Sequence, residues 1–145
     1  MVQNTIDIAA AIVLKGSDFA ANDTMEVLNV PAGTVILSAG IEIMTQLDGT
    51  CTLDMGFTGA SPAAVDVFVD GLDVVGGAVG AYGTTPATEA AQVQVISTAD
   101  TIDVKFATET DVTSGKLRFW AILMDVSDMG AHDMIAASAD RDYLA

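Results

Sequence analysis

Short stretches of this chain alternate apolar and polar residues with a period of two, and that pattern restricts the fold more than any other property of the sequence. The clearest case is Thr101-Ile102-Asp103-Val104-Lys105-Phe106. Successive side chains of an extended strand point to opposite faces, so Ile102, Val104 and Phe106 share one face while Thr101, Asp103 and Lys105 share the other. The same alternation recurs at Cys51-Thr52-Leu53-Asp54-Met55, Gln92-Val93-Gln94-Val95 and Gly40-Ile41-Glu42-Ile43, and more weakly over Met25 to Val30 and Val65 to Asp70. Near the start, Thr5-Ile6-Asp7-Ile8 begins in phase and then merges into an alanine run, Ala9 to Leu14, which on propensity alone suits a helix.

Turn signals separate these runs. Pro31-Ala32-Gly33 divides two of them, Asp48-Gly49 reads as a tight hairpin turn, and Thr113-Ser114-Gly115 precedes the last. No long amphipathic helix is legible before residue 128. The expectation is an all-β chain folded as a single antiparallel β-sandwich of jelly-roll type, with a small barrel as the rival. The sandwich is expected over residues 1–127, followed by a C-terminal arm over 128–145.

The stretch from Leu117 to Val126 departs from simple alternation. Phe119, Ala121 and Leu123 form one face, yet Trp120, Ile122 and Met124 on the other face are apolar too. Such a strand is either covered on both sides or presents one face to another chain. We take Trp120, Ile122 and Met124 as an interface. Beyond Ser127 the periodicity of two is lost, and Met129, Met134, Ile135, Tyr143 and Leu144 are spaced along a segment too short to be a stable helix alone. Met134, Ile135, Tyr143 and Leu144 are therefore expected to dock on a neighbour. The Gly- and Ala-rich stretch from Gly71 to Pro86 reads as a long loop or a bulged strand.

Charge narrows the partners. Twenty Asp and Glu against five Lys and Arg give a formal charge of −15, in a chain that is 51% hydrophobic. A mean hydropathy of +0.48 argues against disorder. Nucleic acid is not expected as a partner, because Lys15, Lys105, Lys116, Arg118 and Arg141 are scattered and form no patch. No apolar run approaches the roughly 18 residues of a membrane span. The start, Met1-Val2-Gln3-Asn4, has no basic residue of the kind that opens a secretory signal.

Catalytic chemistry is hard to assemble from these residues, and the chain is not expected to be an enzyme or to carry a cofactor. The single histidine, His132, falls in the arm. The single cysteine, Cys51, lies in phase with Leu53 and Met55, as a small core hydrophobe would. Zinc clusters and a phosphate-cradling GxxxxGK[ST] loop are missing. Asp66, Asp70 and Asp73 crowd around Gly71, but their spacing fits no calcium loop, and they read as a solvated face.

Several blocks in order carry a resemblance. Val30-Pro31-Ala32-Gly33-Thr34-Val35 is followed by Thr52-Leu53-Asp54-Met55-Gly56, by Phe68-Val69-Asp70 and by Thr98-Ala99-Asp100-Thr101-Ile102-Asp103-Val104, then by a closing hydrophobic strand. Across roughly residues 25 to 127 the chain resembles the small head decoration or cement proteins of tailed bacteriophages, marine podovirus-like ones in particular. That resemblance implies an accessory virion protein that binds major capsid protein on the outer capsid surface, often as a homo-oligomer. The alternative is a host-recognition or carbohydrate-binding module of a phage knob or fibre, for which Tyr82, Phe68 and Trp120 are the candidate aromatics.

Overall fold

The computed structural model describes residues 1–57, 64–84 and 95–127. Among the described residues there are eight strands, β1 (Val2–Asp7), β2 (Thr24–Val30), β3 (Thr34–Thr45), β4 (Thr50–Phe57), β5 (Ala64–Asp73), β6 (Gly80–Thr84), β7 (Asp100–Thr110) and β8 (Lys116–Asp125). One short helix, α1 (Ile8–Lys15), follows β1. One antiparallel sheet has the order β1-β8-β3-β6 and the other β2-β7-β4-β5. The chain passes repeatedly from sheet to sheet, so strands adjacent in sequence mostly lie in different layers. This is a jelly-roll sandwich, as the alternation predicts.

The inward faces supply the core. Ile102, Val104 and Phe106 of β7, Cys51, Leu53 and Met55 of β4, Ile41 and Ile43 of β3, and Leu117, Phe119 and Ala121 of β8 are all buried in one cluster. Phe106 also stacks on Phe19, with ring centroids 4.4 Å apart.

The alanine run is helical for local reasons. The Asp7 carboxylate caps the first turn by accepting from the Ala10 N–H at 3.3 Å, and Gly16 closes the last turn in the left-handed region, φ 76°. Lys15 then bridges to the chain leading into β2: its Nζ donates to the Asp18 carbonyl at 2.6 Å and pairs with Asp23 at 2.8 Å.

Two expectations fail, at Asp48-Gly49 and at Asp103, and other stretches are refined by the structure or lie outside the described residues. Asp48-Gly49 is not a hairpin turn, because β3 and β4 lie in different sheets and the pair carries the chain across the sandwich. Asp103, expected on the solvent face, is 3% exposed and accepts from the Thr101 hydroxyl at 2.7 Å. Phe68 is buried along with Val67 and Val69 because bulges shift the β4–β5 register, and it meets Phe57 edge to face. The strand expected at Gln92 to Val95 falls outside the described residues except for Val95, which is exposed beside an isolated bridge from Ile96 to Thr34. The Gly71 to Pro86 stretch, as far as Thr84, divides into the end of β5, a loop over 74–79 and the strand β6.

Candidate interaction face

β8 lies between β1 and β3, so its backbone is paired on both sides while one of its faces points away from the core. The register sets what surrounds that outward face. Trp120 is opposite Gln3 in β1 and Gly40 in β3; Ile122 is opposite Ser38; Met124 is opposite Val35. A β-bulge between Ile36 and Ser38 adds a residue to β3, and Leu37 is exposed there. Ile122 is 41% exposed, Met124 43% and Leu37 43%, and Trp120 is half-buried. The face therefore offers apolar side chains from two adjacent strands.

Its character changes along the strand. Toward the α1 end, Arg118 pairs with Glu42 at 3.2 Å and Lys116 with Asp7 at 3.9 Å. Both pairs are partly exposed and contribute little stability, but they neutralise carboxylates. At the other end β8 finishes in Asp125, whose Oδ1 accepts from the Ser127 N–H at 2.9 Å and the Ser127 hydroxyl at 2.7 Å. The two Ser127 hydrogen bonds hold the Asp125 carboxyl below the usual carboxylate range. The Val126 N–H donates to the Gly33 carbonyl at 2.7 Å. The end of β8 is thus tied down over the β2–β3 turn.

The opposite sheet is different. Its outward positions set the exposed Glu26 across from Asp103 and Asp54 across from the half-buried Lys105, and both aspartates are buried. Asp54 accepts from the Gly71 N–H at 2.9 Å, so this carboxylate shapes the β5 bulge.

The remaining sequence candidates separate clearly. Cys51 is buried, and desolvation first, with Glu109 and Asp73 adding, pushes its thiol up to about 12, the opposite of an activated nucleophile. Asp73 accepts from the Val75 and Gly76 N–H groups at 2.9 and 2.8 Å as a turn cap, while Asp66 and Asp70 are exposed. No three His, Cys, Asp or Glu side chains gather as a metal site among the described residues. Of the candidate sugar-stacking aromatics, Phe68 is buried and Tyr82 packs on the core with its hydroxyl donating to the Ala78 carbonyl at 2.6 Å. Trp120 alone keeps an outward position. Met134, Ile135, Tyr143 and Leu144, with His132, lie outside the described residues.

Two features escaped the sequence reading. Leu37 is turned out by the bulge, and a bulge leaves no period of its own. The other is the exposure at the end of α1: Val13 and Leu14, in the run that suits a helix, are 80% and 88% exposed. Beneath the helix, a groove of about 610 Å³ opens between β1 and β2, lined by Ile6, Ala10, Leu14, Phe19 and Met25 among others.

No family model and no curated protein matches the chain. Solved structures do. A chain of the Cyanophage Pam1 capsid asymmetric unit superposes with a TM-score of 0.58 at 15% identity, over 83% of this chain and 79% of that one. A chain of the capsid of Ralstonia phage GP4 gives 0.55 at 21% identity, over 84% and 78%. The jelly-roll sandwich described above is therefore a fold that this chain shares with chains found in phage capsids.

Proposed function

We propose that this chain is a structural, non-enzymatic protein of a phage virion, bound to the outside of the capsid as a decoration or cement protein. The observation that carries the reading is the outward face of β8. Trp120, Ile122 and Met124, with Leu37 beside them, make an apolar surface on a chain of net charge −15. An exposed apolar cluster in an otherwise acidic surface is a contact surface. The fold shared with phage capsid chains supplies the setting, and major capsid protein is the partner. The charge favours the outside, since carboxylates facing packaged DNA would be repelled. The arm, residues 128–145, is the second docking element, through Met134, Ile135, Tyr143 and Leu144.

The test is binding to purified capsids stripped of this protein, quantified by occupancy. Deleting Asp128 to Ala145, and separately changing Trp120→Ala, should each lower occupancy while the circular dichroism of the sandwich persists. Occupancy equal to that of the intact chain for both variants would remove the reading.

A further inference from the structure

Among the described residues the two sheets end in four edge strands, β1 and β6 in one layer and β2 and β5 in the other. An open edge offers unpaired backbone N–H and C=O groups to any strand that approaches, and folded chains blunt their edges with bulges, charges or brevity. Three of these edges are blunted. β2 has a bulge between Glu26 and Leu28, and the carbonyl of Val27 within it accepts from the Asn4 amide at 3.0 Å. β5 is bulged twice against β4 and exposes Asp66 and Asp70. β6 is five residues long, two of them glycines. β1 has none of these devices: its register with β8 is unbroken, Val2 to Thr5 are exposed, and the run from Val2 to Ile6 holds no charged residue.

We infer that β1 is a pairing edge, and that its occupant is β1 of a second copy, antiparallel about a two-fold axis through Asn4. The sheet β1-β8-β3-β6 then continues into the same sheet of the other copy. The inference deepens the proposed function, on which only the orientation toward the shell rests: the pair forms in solution, and its two β8 faces meet the capsid together.

Self-complementarity argues for a copy rather than a foreign strand. The register centred on Asn4 sets Val2 opposite Ile6 and Gln3 opposite Thr5. Val2, Asn4 and Ile6 share the inward face, because they lie opposite Ala121, Phe119 and Leu117. Val2 is 36% exposed and Ile6 half-buried, so each apolar pair covers surface that one copy leaves open. A chain of charge −15 repels its own copies, and this register keeps the carboxylates of β1 apart. Asp7, paired with Lys116 at 3.9 Å, comes opposite Met1 of the other copy; a parallel pairing would set Asp7 against Asp7. The turn into α1 at Ile8 stops the ladder from running further. An antiparallel two-fold stands perpendicular to the sheet, so both outward β8 faces point the same way. With the two β1 strands between them, the two β8 strands lie about 14 Å apart. Trp120, Ile122 and Met124 of both copies therefore face one partner surface. The contact is isologous and closes at two copies.

Sedimentation velocity of the full chain, without capsids, tests this. The wild-type chain should pass from monomer to dimer and no further as concentration rises, and more readily at high salt, which screens the repulsion. Gln3→Lys with Thr5→Lys sets like charges opposite each other across the two-fold, as does Gln3→Glu with Thr5→Glu. Each double variant alone should lower the association constant by about tenfold. Mixed in equal amounts the two should dimerise, since opposite charges then face each other. Hydrogen exchange of the wild-type chain needs no variant: alternate amides of β1 should gain protection on dimerisation. A wild-type chain that stays monomeric, assembly beyond dimers, variants that dimerise normally alone, a mixture that stays monomeric, or protection gained on another edge instead would overturn the inference. Deleting 128–145 should leave the dimer intact; its loss would make the arm the contact and overturn it too. Capsid occupancy by a chain that stays monomeric removes this inference alone. A dimer with no capsid occupancy removes the capsid reading and leaves the pair standing.

Discussion

The Asp48 carboxylate takes both hydrogens that Thr113 can donate, the N–H at 2.8 Å on Oδ1 and the hydroxyl at 2.6 Å on Oδ2. The Ser114 N–H adds a third bond at 2.8 Å. Through these bonds the β3–β4 crossover is tied to the loop that turns β7 into β8, 65 residues later.

Those bonds, the Thr113 hydroxyl first and then the two N–H groups, hold the Asp48 carboxyl far below its usual 3.8. A folded-state pKa below the unfolded one gives stability that is present above about 4 and lost as pH falls further. Asp48→Asn should therefore be less stable than wild type at neutral pH in urea denaturation. The difference should shrink as the pH is lowered below about 4. A gap independent of pH across that window contradicts the clasp.

Phe106 fills the centre of the core and stacks on Phe19. Phe106→Ala should cost about 3–5 kcal/mol of unfolding free energy, from lost burial plus the cavity left behind. Phe106→Leu should cost less. Urea midpoints at an unchanged slope measure both; a loss below about 1 kcal/mol for alanine would mean that the core collapses around the site.

Cys51 should be inert in the native state, being 1% exposed with its thiol pushed up to about 12. A chromogenic thiol reagent should label it only when urea opens the fold, at a rate that tracks unfolding. Rapid labelling without denaturant would show that β4 opens locally.

Lys15 is held by the Ser17 hydroxyl, the Asp18 carbonyl and Asp23, and lies 5.3 Å from the centre of the Phe19 ring. The ion pair is about one-third exposed, so Lys15→Met should cost no more than about 1 kcal/mol. The cost should fall as salt is raised.

Gly33 has φ +74°, and a Cβ there would sit 2.6 Å from the Ser127 Cβ. Gly33→Ala should destabilise the fold by roughly 1–3 kcal/mol, combining left-handed strain with displacement of the exit from β8. It should also raise hydrogen exchange at Val126, whose N–H donates to the Gly33 carbonyl. Unchanged exchange there would show that the turn absorbs the methyl group.

The sequence disclosed the fold wherever one face of a strand meets the core, because a period of two is the direct imprint of such burial. Ile102, Val104 and Phe106 are legible for that reason, as are Cys51, Leu53 and Met55. Asp48-Gly49 has the chemistry of a tight turn, but which sheet receives the next strand depends on pairing with distant β7. Asp103 reads as exposed because alternation says which way a side chain points and not what lies above it. Trp120, Ile122 and Met124 stood out as the apolar residues that a half-buried strand does not need. Leu37 did not, since its exposure comes from a bulge in the pairing of β3 with β8.

β1 and β8 are neighbours, and among the described residues β8 alone bridges β1 and β3. During synthesis this sheet has no interior strand among the described residues until residues 116–125 emerge, so β1 must wait for β8 before its layer can close. Closure across that many residues is slow. It also makes β8 a checkpoint: a product truncated within β8 cannot hold β1 against β3, whereas one ending just after Ser127 retains every strand described above.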